Sequence, residues 1–480
     1  MNYLEEILNK VEENKDEMIQ TLQELLRIRS VVEPAVGDKP FGEGVHAAYT
    51  YMMDKCSEAG FVTKNVDNYG GHADLPGDGG SVMGIVGHLD VVPEGSGWDE
   101  DPYSAVIKDG KIYARGTMDD KGPMVSCFYA MKALKECGVP MKDTVRLIMG
   151  LDEETNWKGM RHYLSKVAAP DYGFTPDSDF PAIHGEKGIL IFDLAKKFTP
   201  ATAKGLELRS FTGGTAANMV PDSARVVVRD TTGFGYDALR EKVAEFRQEK
   251  KVKINCKGVG KSFEITTEGV SAHGAKPELG LNAISVMMEF LGQLNFVNED
   301  ASAFVDFYNE HIGYETDGAS IGCGFSDEPS GKLVFNVGVI DMSPEAVSLT
   351  INIRYPVTME AEDVYAGLIS VIDKYDFGVI KGKGEDPVYI PADDPMIVTL
   401  MEVYQKHTGD TESKPLVIGG GTYARAMDNC VAYGAMFPGD EDLMHQKNEC
   451  ISIENLMKMT RIYAEAIYRL AAAHETEQDA

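Results

Sequence analysis

The chain is short of positive charge. Against 76 aspartates and glutamates stand only 46 lysines and arginines, leaving a net charge of −30 over 480 residues. Such a balance repels phosphate backbones and anionic lipid, so neither nucleic acid nor a membrane is an expected partner, whereas cations are attracted. No apolar run approaches the roughly 18 residues a membrane span needs. The opening Met1-Asn2-Tyr3-Leu4-Glu5-Glu6 is acidic and leads into an amphipathic pattern, unlike a signal peptide. The seven cysteines (Cys56, Cys127, Cys137, Cys256, Cys323, Cys430, Cys450) are scattered and form no CxxC. That pattern suits reduced thiols in a cytoplasm and excludes a disulfide framework or zinc knuckle. G-x-S-x-G, a P-loop and a dinucleotide fingerprint are all missing, and no cysteine has a nucleophile's surroundings. Composition is otherwise ordinary for a globular protein, with 43% hydrophobic and 25% charged residues, so a disordered or fibrous chain is excluded.

What is present is periodicity. Leu4, Ile7, Leu8, Val11, Met18, Leu22, Leu25 and Leu26 repeat at helical spacing, predicting a helix through about residue 28. A second amphipathic helix is expected near 45–60. Short apolar runs follow that end in acidic or histidine residues: 81–87 before His88, and 144–151 before Asp152-Glu153-Glu154. Asp109-Gly110 predicts a tight hairpin between 105–107 and 111–113, and 121–137 reads as a helix. Strands alternating with helices imply an α/β layer with its site at the strands' carboxyl edge. Between about 190 and 385 the texture becomes hairpins alternating with helices, an α+β pattern with two related halves. After 390 the α/β texture returns, with a strand at 431–437 and a closing helix at 453–473. The expected organisation is an α/β catalytic domain in two segments, 1–187 and 386–480, interrupted by an α+β lid domain at 188–385.

Divalent metals need carboxylates and neutral imidazoles gathered from several strand ends. The chain offers His88-x-Asp90, Asp119-Asp120, Glu153-Glu154, Asp177 and His445, each after an apolar run or in a turn beside one. Any one acidic pair after a strand is usually a solvated turn; five such places in one chain point to a metal centre.

Gly87-His88-Leu89-Asp90-Val91-Val92-Pro93, Gly116-Thr117-Met118-Asp119-Asp120-Lys121-Gly122, Asp152-Glu153-Glu154 and Thr175-Pro176-Asp177 resemble, in order, the successive motifs of the M20 family of di-zinc aminoacylases and peptidases. The triple glycine 419–421 and the long insertion resemble its PepV-type bacterial dipeptidase branch, which are monomers with an enlarged lid. The resemblance implies a zinc-peptidase-like α/β fold and two divalent ions per chain; a site of this kind suits zinc, manganese or cobalt. His88 and Asp177 would hold one ion, Glu154 and His445 the other, and Asp119 would bridge them. Asp120 competes for the bridge, but the family's aspartate lies three residues before Gly122. Asp90 would orient the His88 ring, and Glu153 would be the general base.

The Gly269-Val270-Ser271-Ala272-His273-Gly274 string also resembles the family's, whose lid histidine contacts the oxyanion of the tetrahedral intermediate. With an enlarged lid, His273 would be supplied in cis. Asn218 would help hold the substrate. Arg354, expected at a strand end, suits a carboxylate fork better than lysine would, and Gly420, Gly421 and Thr422 would offer backbone N–H groups to the same carboxylate. The implied activity is cytoplasmic hydrolysis of dipeptides with a free C-terminal carboxylate, within peptide catabolism. The same metals would serve an amidase of N-acyl amino acids (a deacetylase or desuccinylase), and a non-catalytic peptide-binding protein could keep the same fold.

Overall fold

The computed structural model describes residues 3–473. The chain divides into two compact units. One takes in the residues up to Gly185 together with Ile390–Val417 and the segment from Gly421 onward; the other comprises Glu186–Tyr389 and Ile418–Gly420. The architecture is the mixed α/β type that the alternating pattern implies.

The first unit is built on a mixed sheet with a parallel centre. Its strands run, in spatial order, Val62–Asn65, Gly71–Leu75, Thr144–Gly150, Val82–His88, Tyr172–Thr175, Cys430–Ala432 and Ile183–Glu186. Val82–His88 is parallel to both Thr144–Gly150 and Tyr172–Thr175, with His88 opposite Gly150. These central strands are buried almost throughout, as expected for parallel strands covered on both faces. The helices Lys121–Glu136 and Ile453–Ala471 pack together, and Tyr3–Glu13 lies against both. Three strands that run the same way end on the same edge, and the polar residues collect there.

Two local expectations are corrected. The N-terminal pattern is not one helix but two, Tyr3–Glu13 and Lys15–Leu26, broken at Asn14. No apolar residue lies between Val11 and Met18 to hold a continuous stripe, and the Asn14 amide instead donates to Glu136 at 2.8 Å. The apolar run at 431–437 is likewise two strands, Cys430–Ala432 and Ala435–Met436, the second pairing with Ser178–Asp179. Gly434, at a φ of +87°, turns the chain between them.

The second unit carries an eight-stranded antiparallel sheet. Its order is Lys253–Val259, Ser262–Glu268, Ser223–Asp230, Leu206–Gly213, Val334–Met342, Ala346–Tyr355, Gly188–Lys197 and Gly378–Glu385. The order is a duplication about the central pair, where Phe211 faces Met342 and Gly213 faces Ile340. On either side a hairpin is followed by a helix, Asp237–Lys250 in one half and Ala361–Ile372 in the other, and then by the outermost strand. Burial alternates along Gly188–Lys197, the mark of a sheet with one covered face.

Candidate metal centre

His88 closes a buried strand, and its ring is fully enclosed. Nδ1 lies 2.9 Å from the backbone carbonyl of Asp90 and 3.3 Å from its Oδ1. A neutral ring that donates through Nδ1 presents its Nε2 lone pair to the site. Nε2 stands 2.9 Å from Asp119 Oδ1 and 3.6 Å from Asp177 Oδ2, yet it makes no aligned hydrogen bond. Close but misaligned donors of this kind face a common point rather than one another.

Asp119 spans the cluster, its Oδ1 beside His88 and its Oδ2 2.9 Å from His445 Nε2. His445 Nε2 is also 2.9 Å from Glu154 Oε1. Two ligand-compatible groups result: His88 with Asp119 and Glu154, and His88 with Glu153 and Asp177. The neighbouring Asp120 is turned away, with its Oδ2 accepting the His88 backbone N–H at 3.1 Å. Gly87 makes this approach possible, since a Cβ there would lie 2.2 Å from the same oxygen.

The Asp90 carboxylate has a second role beyond facing the His88 ring. Its two oxygens accept the backbone N–H groups of Glu153 and Glu154, each at 3.1 Å. Asp152 fixes the far side of that turn by accepting from Lys158 and Gly159 at 2.6 and 2.9 Å. Glu153 and Glu154 are therefore held by the backbone.

So many carboxylates in a buried space perturb one another. Burial pushes the Glu153 carboxyl well above the usual range and Glu154 up to about 7; burial and then the Asp119 charge raise Asp177. Burial alone would raise Asp119 too, but His445 and His88 pull it below its ordinary value. His445, beside Asp119 and Glu154, is raised to about 10. A buried cluster this rich in carboxyls favours bound protons or cations. The oxygen-and-imidazole donor set fits divalent cations, which would take the place of those protons.

In the second unit, the other expected residues sit as follows. His273 Nδ1 accepts the Ala275 N–H at 3.2 Å, and the Asn218 carbonyl accepts the Gly274 N–H at 2.7 Å. Asn336 holds the turn around Asn218 by donating to the carbonyls of Ala217 and Met219 at 2.9 and 3.0 Å. Arg354 Nε donates to Asn352 at 3.1 Å. Burial, then the Arg354 and Lys276 charges, lower the His273 pKa, favouring a neutral ring. Gly420 belongs to this unit and Gly421 to the first, where the Thr422 hydroxyl caps a short turn by accepting from Ala424 at 3.1 Å.

The sequence reading passed over Arg115, Glu449 and Tyr423. The first two form a buried ion pair 2.7 Å apart. Tyr423 is fully buried, edge-on to Trp157 and His88 with ring centroids 4.9 and 6.3 Å away. A pair separated by more than three hundred residues leaves no local pattern in the sequence.

Known proteins resemble this chain over most of its length. The family described as Peptidase family M20/M25/M40 matches residues 84–469. A relative from Staphylococcus haemolyticus, named "Putative dipeptidase SH1171", is 40% identical over 96% of this chain and 98% of its own length. "Putative dipeptidase YtjP" of Bacillus subtilis is 37% identical over 98% of this chain and all of its own. In fold, the chain is similar to human carnosine dipeptidase 1, with a TM-score of 0.55 at 17% identity, covering 97% of this chain and 98% of that one. It is also similar to aminoacylhistidine dipeptidase from Vibrio alginolyticus, with a TM-score of 0.56 at 15% identity over 95% and 96%. The chain belongs to the M20 peptidase family and is a hydrolase of that class. Among the described residues no helix is long and apolar enough to cross a membrane.

Proposed function

We propose that this chain is a two-metal dipeptidase. The observation that carries the reading is Asp119, whose two oxygens each lie 2.9 Å from a different imidazole, as a bridging carboxylate requires. His88 and Asp177 are assigned to one ion, His445 and Glu154 to the other. Zinc is the first choice, and manganese or cobalt would also suit the donors. Bound divalent ions would acidify a water and polarise the scissile carbonyl.

Glu153 takes the proton from the attacking water and passes it to the leaving amine. Burial raises its proton affinity, which favours taking a proton from the attacking water. His273 donates to the developing oxyanion. Arg354, with the backbone of Gly420, Gly421 and Thr422, receives the substrate's C-terminal carboxylate, and Asn218 holds the peptide. An enclosed pocket fixed at that end would accept only short peptides. The chain acts as a monomer in the cytoplasm; its seven free cysteines fit a reducing compartment.

The test is a kinetic panel of dipeptides, tripeptides and N-acetyl amino acids, run on the purified protein before and after chelation with metal content measured in parallel. Dipeptides should turn over fastest, and chelation should abolish the activity until metal is restored. Faster hydrolysis of N-acetyl amino acids would make the chain an amidase. No turnover by fully metallated protein would leave a peptide-binding protein.

A further inference from the structure

Away from the ligands themselves, the first unit buries a charged pair that the mechanism does not use. Arg115 is 2% exposed and Glu449 fully buried, with Nη1 and Oε2 2.7 Å apart. Burying two charges is costly, and excellent geometry is needed to offset it. The surroundings show what that geometry holds. Glu449 Oε1 accepts the backbone N–H groups of Gly116 and Met118 at 3.1 and 2.8 Å and lies 3.4 Å from the Thr117 hydroxyl. One carboxylate oxygen thus gathers the whole turn that delivers Asp119. Arg115 Nη1 also donates to the carbonyl of Gln446 at 3.2 Å, the residue after His445. The guanidinium lies over the Trp98 ring, 5.3 Å from its centroid, and Nη2 reaches the Glu94 carbonyl at 3.5 Å.

We propose that Arg115 and Glu449 are positioning residues that set the Asp119 turn and the His445 loop at the separation two metals require. The proposal rests on the two-metal reading. Neither residue touches the centre; Glu449 acts through the backbone before Asp119, and Arg115 through the backbone after His445. His445 needs such support, because its side chain is half exposed and its backbone is left-handed at a φ of +61°. Without the pair the two loops would be joined chiefly by the Ala114 N–H to Glu449 carbonyl bond and the short ladder of Lys111–Tyr113 with Cys450–Ser452.

Two variants test this with Co2+ as the probe metal. Glu449→Gln keeps the side-chain length and an oxygen for the turn but removes the charge facing Arg115. The double variant Arg115→Met with Glu449→Gln removes both charges, so neither is left buried alone. Apo-protein of each is titrated with Co2+, following its visible absorption, alongside circular dichroism and dipeptide kinetics. Loss of the support around metal ligands typically weakens metal binding about 10–100-fold. That weakening is expected in both folded variants, with a changed cobalt spectrum, a lower kcat and a KM close to wild type. A wild-type titration and spectrum in either folded variant would overturn the proposal. Failure of both variants to fold would also overturn it, by making the pair a staple of the fold. A wild-type protein that takes up no Co2+ would instead overturn the two-metal reading.

Discussion

The two sheets of this chain organise polar residues in opposite ways. In the first unit, parallel strands end on one edge, so His88, Glu153, Glu154 and Asp177 arrive together because their strands do. In the second unit, antiparallel strands turn at both edges. Asn218 and His273 sit on loops held by Asn336 and by their own backbone, and Arg354 stands on a strand beside Asn352. A parallel edge builds a ligand cluster by topology; an antiparallel sheet has to support each functional side chain separately. Damage to the first unit should therefore remove the general base or metal, and damage to the second should change how the substrate and its transition state are held.

The largest effect tests the first half of that contrast. Glu153→Gln should keep two metals per chain yet lose about 10²–10⁴-fold in kcat, the usual cost of a missing general base. Near-normal turnover in the fully metallated variant would take Glu153 out of the mechanism. Next comes the choice between adjacent aspartates. Asp119→Ala should lower the occupancy of both metals, since its oxygens face both imidazoles. Asp120→Ala should leave about two, because that side chain bonds the His88 backbone instead. Metal analysis showing the reverse would move the bridge to Asp120.

These residues differ in how plainly the sequence announced them. The strand before His88 and the one before Asp152 were legible because a continuous apolar run stopping at a charge is a buried strand reaching water. The hairpin at Asp109-Gly110 was equally plain, both residues adopting the positive φ that a tight turn needs. Motif order raised the family, which the match over residues 84–469 shows. Hidden from the sequence were the break at Asn14, the turn at Gly434 and the Arg115–Glu449 pair. The first left only a gap in the apolar stripe between Val11 and Met18, the second is a turn inside an apolar run, and the third joins positions that only the folded chain brings together. The helix Pro395–Thr408 was also unread, although Asp394 caps it through the Met396 N–H and Pro395 opens it.

Turning to the second unit, Arg354→Lys should raise KM for dipeptides about tenfold or more with a smaller change in kcat, as lysine keeps the charge but loses the fork. Substrates amidated at the C-terminus should lose that discrimination between wild type and variant. Equal KM values for free-acid dipeptides would remove Arg354 from carboxylate recognition. The sharper version mixes His273→Ala with Glu153→Gln. A chain that is complete by itself gives a mixture no more active than its parts, whereas recovered activity would mean that the lid histidine works across a dimer.

The smallest effect lies away from both functional regions and measures how much ordinary electrostatics contributes where no chemistry depends on it. Glu465, on the closing helix, meets Lys406 at 2.8 Å and His407 at 2.8 Å, joining that helix to Pro395–Thr408. Burial would raise its carboxyl, but the His407 and Lys406 contacts outweigh burial and hold it below the ordinary value. A carboxyl that is more acidic folded than unfolded adds stability at pH values above its unfolded pKa, near 4.3. That contribution is lost as pH falls through the lower folded value. Glu465→Gln should therefore cost about 1 kcal/mol at pH 7, discounted because Lys406 is half exposed. The gap between wild type and variant, read as the difference in urea midpoints for the loss of helical signal, should close as pH drops below about 4. A gap that stayed constant with pH would mean that Glu465 stabilises by packing alone. Dipeptide turnover at pH 7 should not change, because the residue reaches neither the metal cluster nor the residues assigned to substrate.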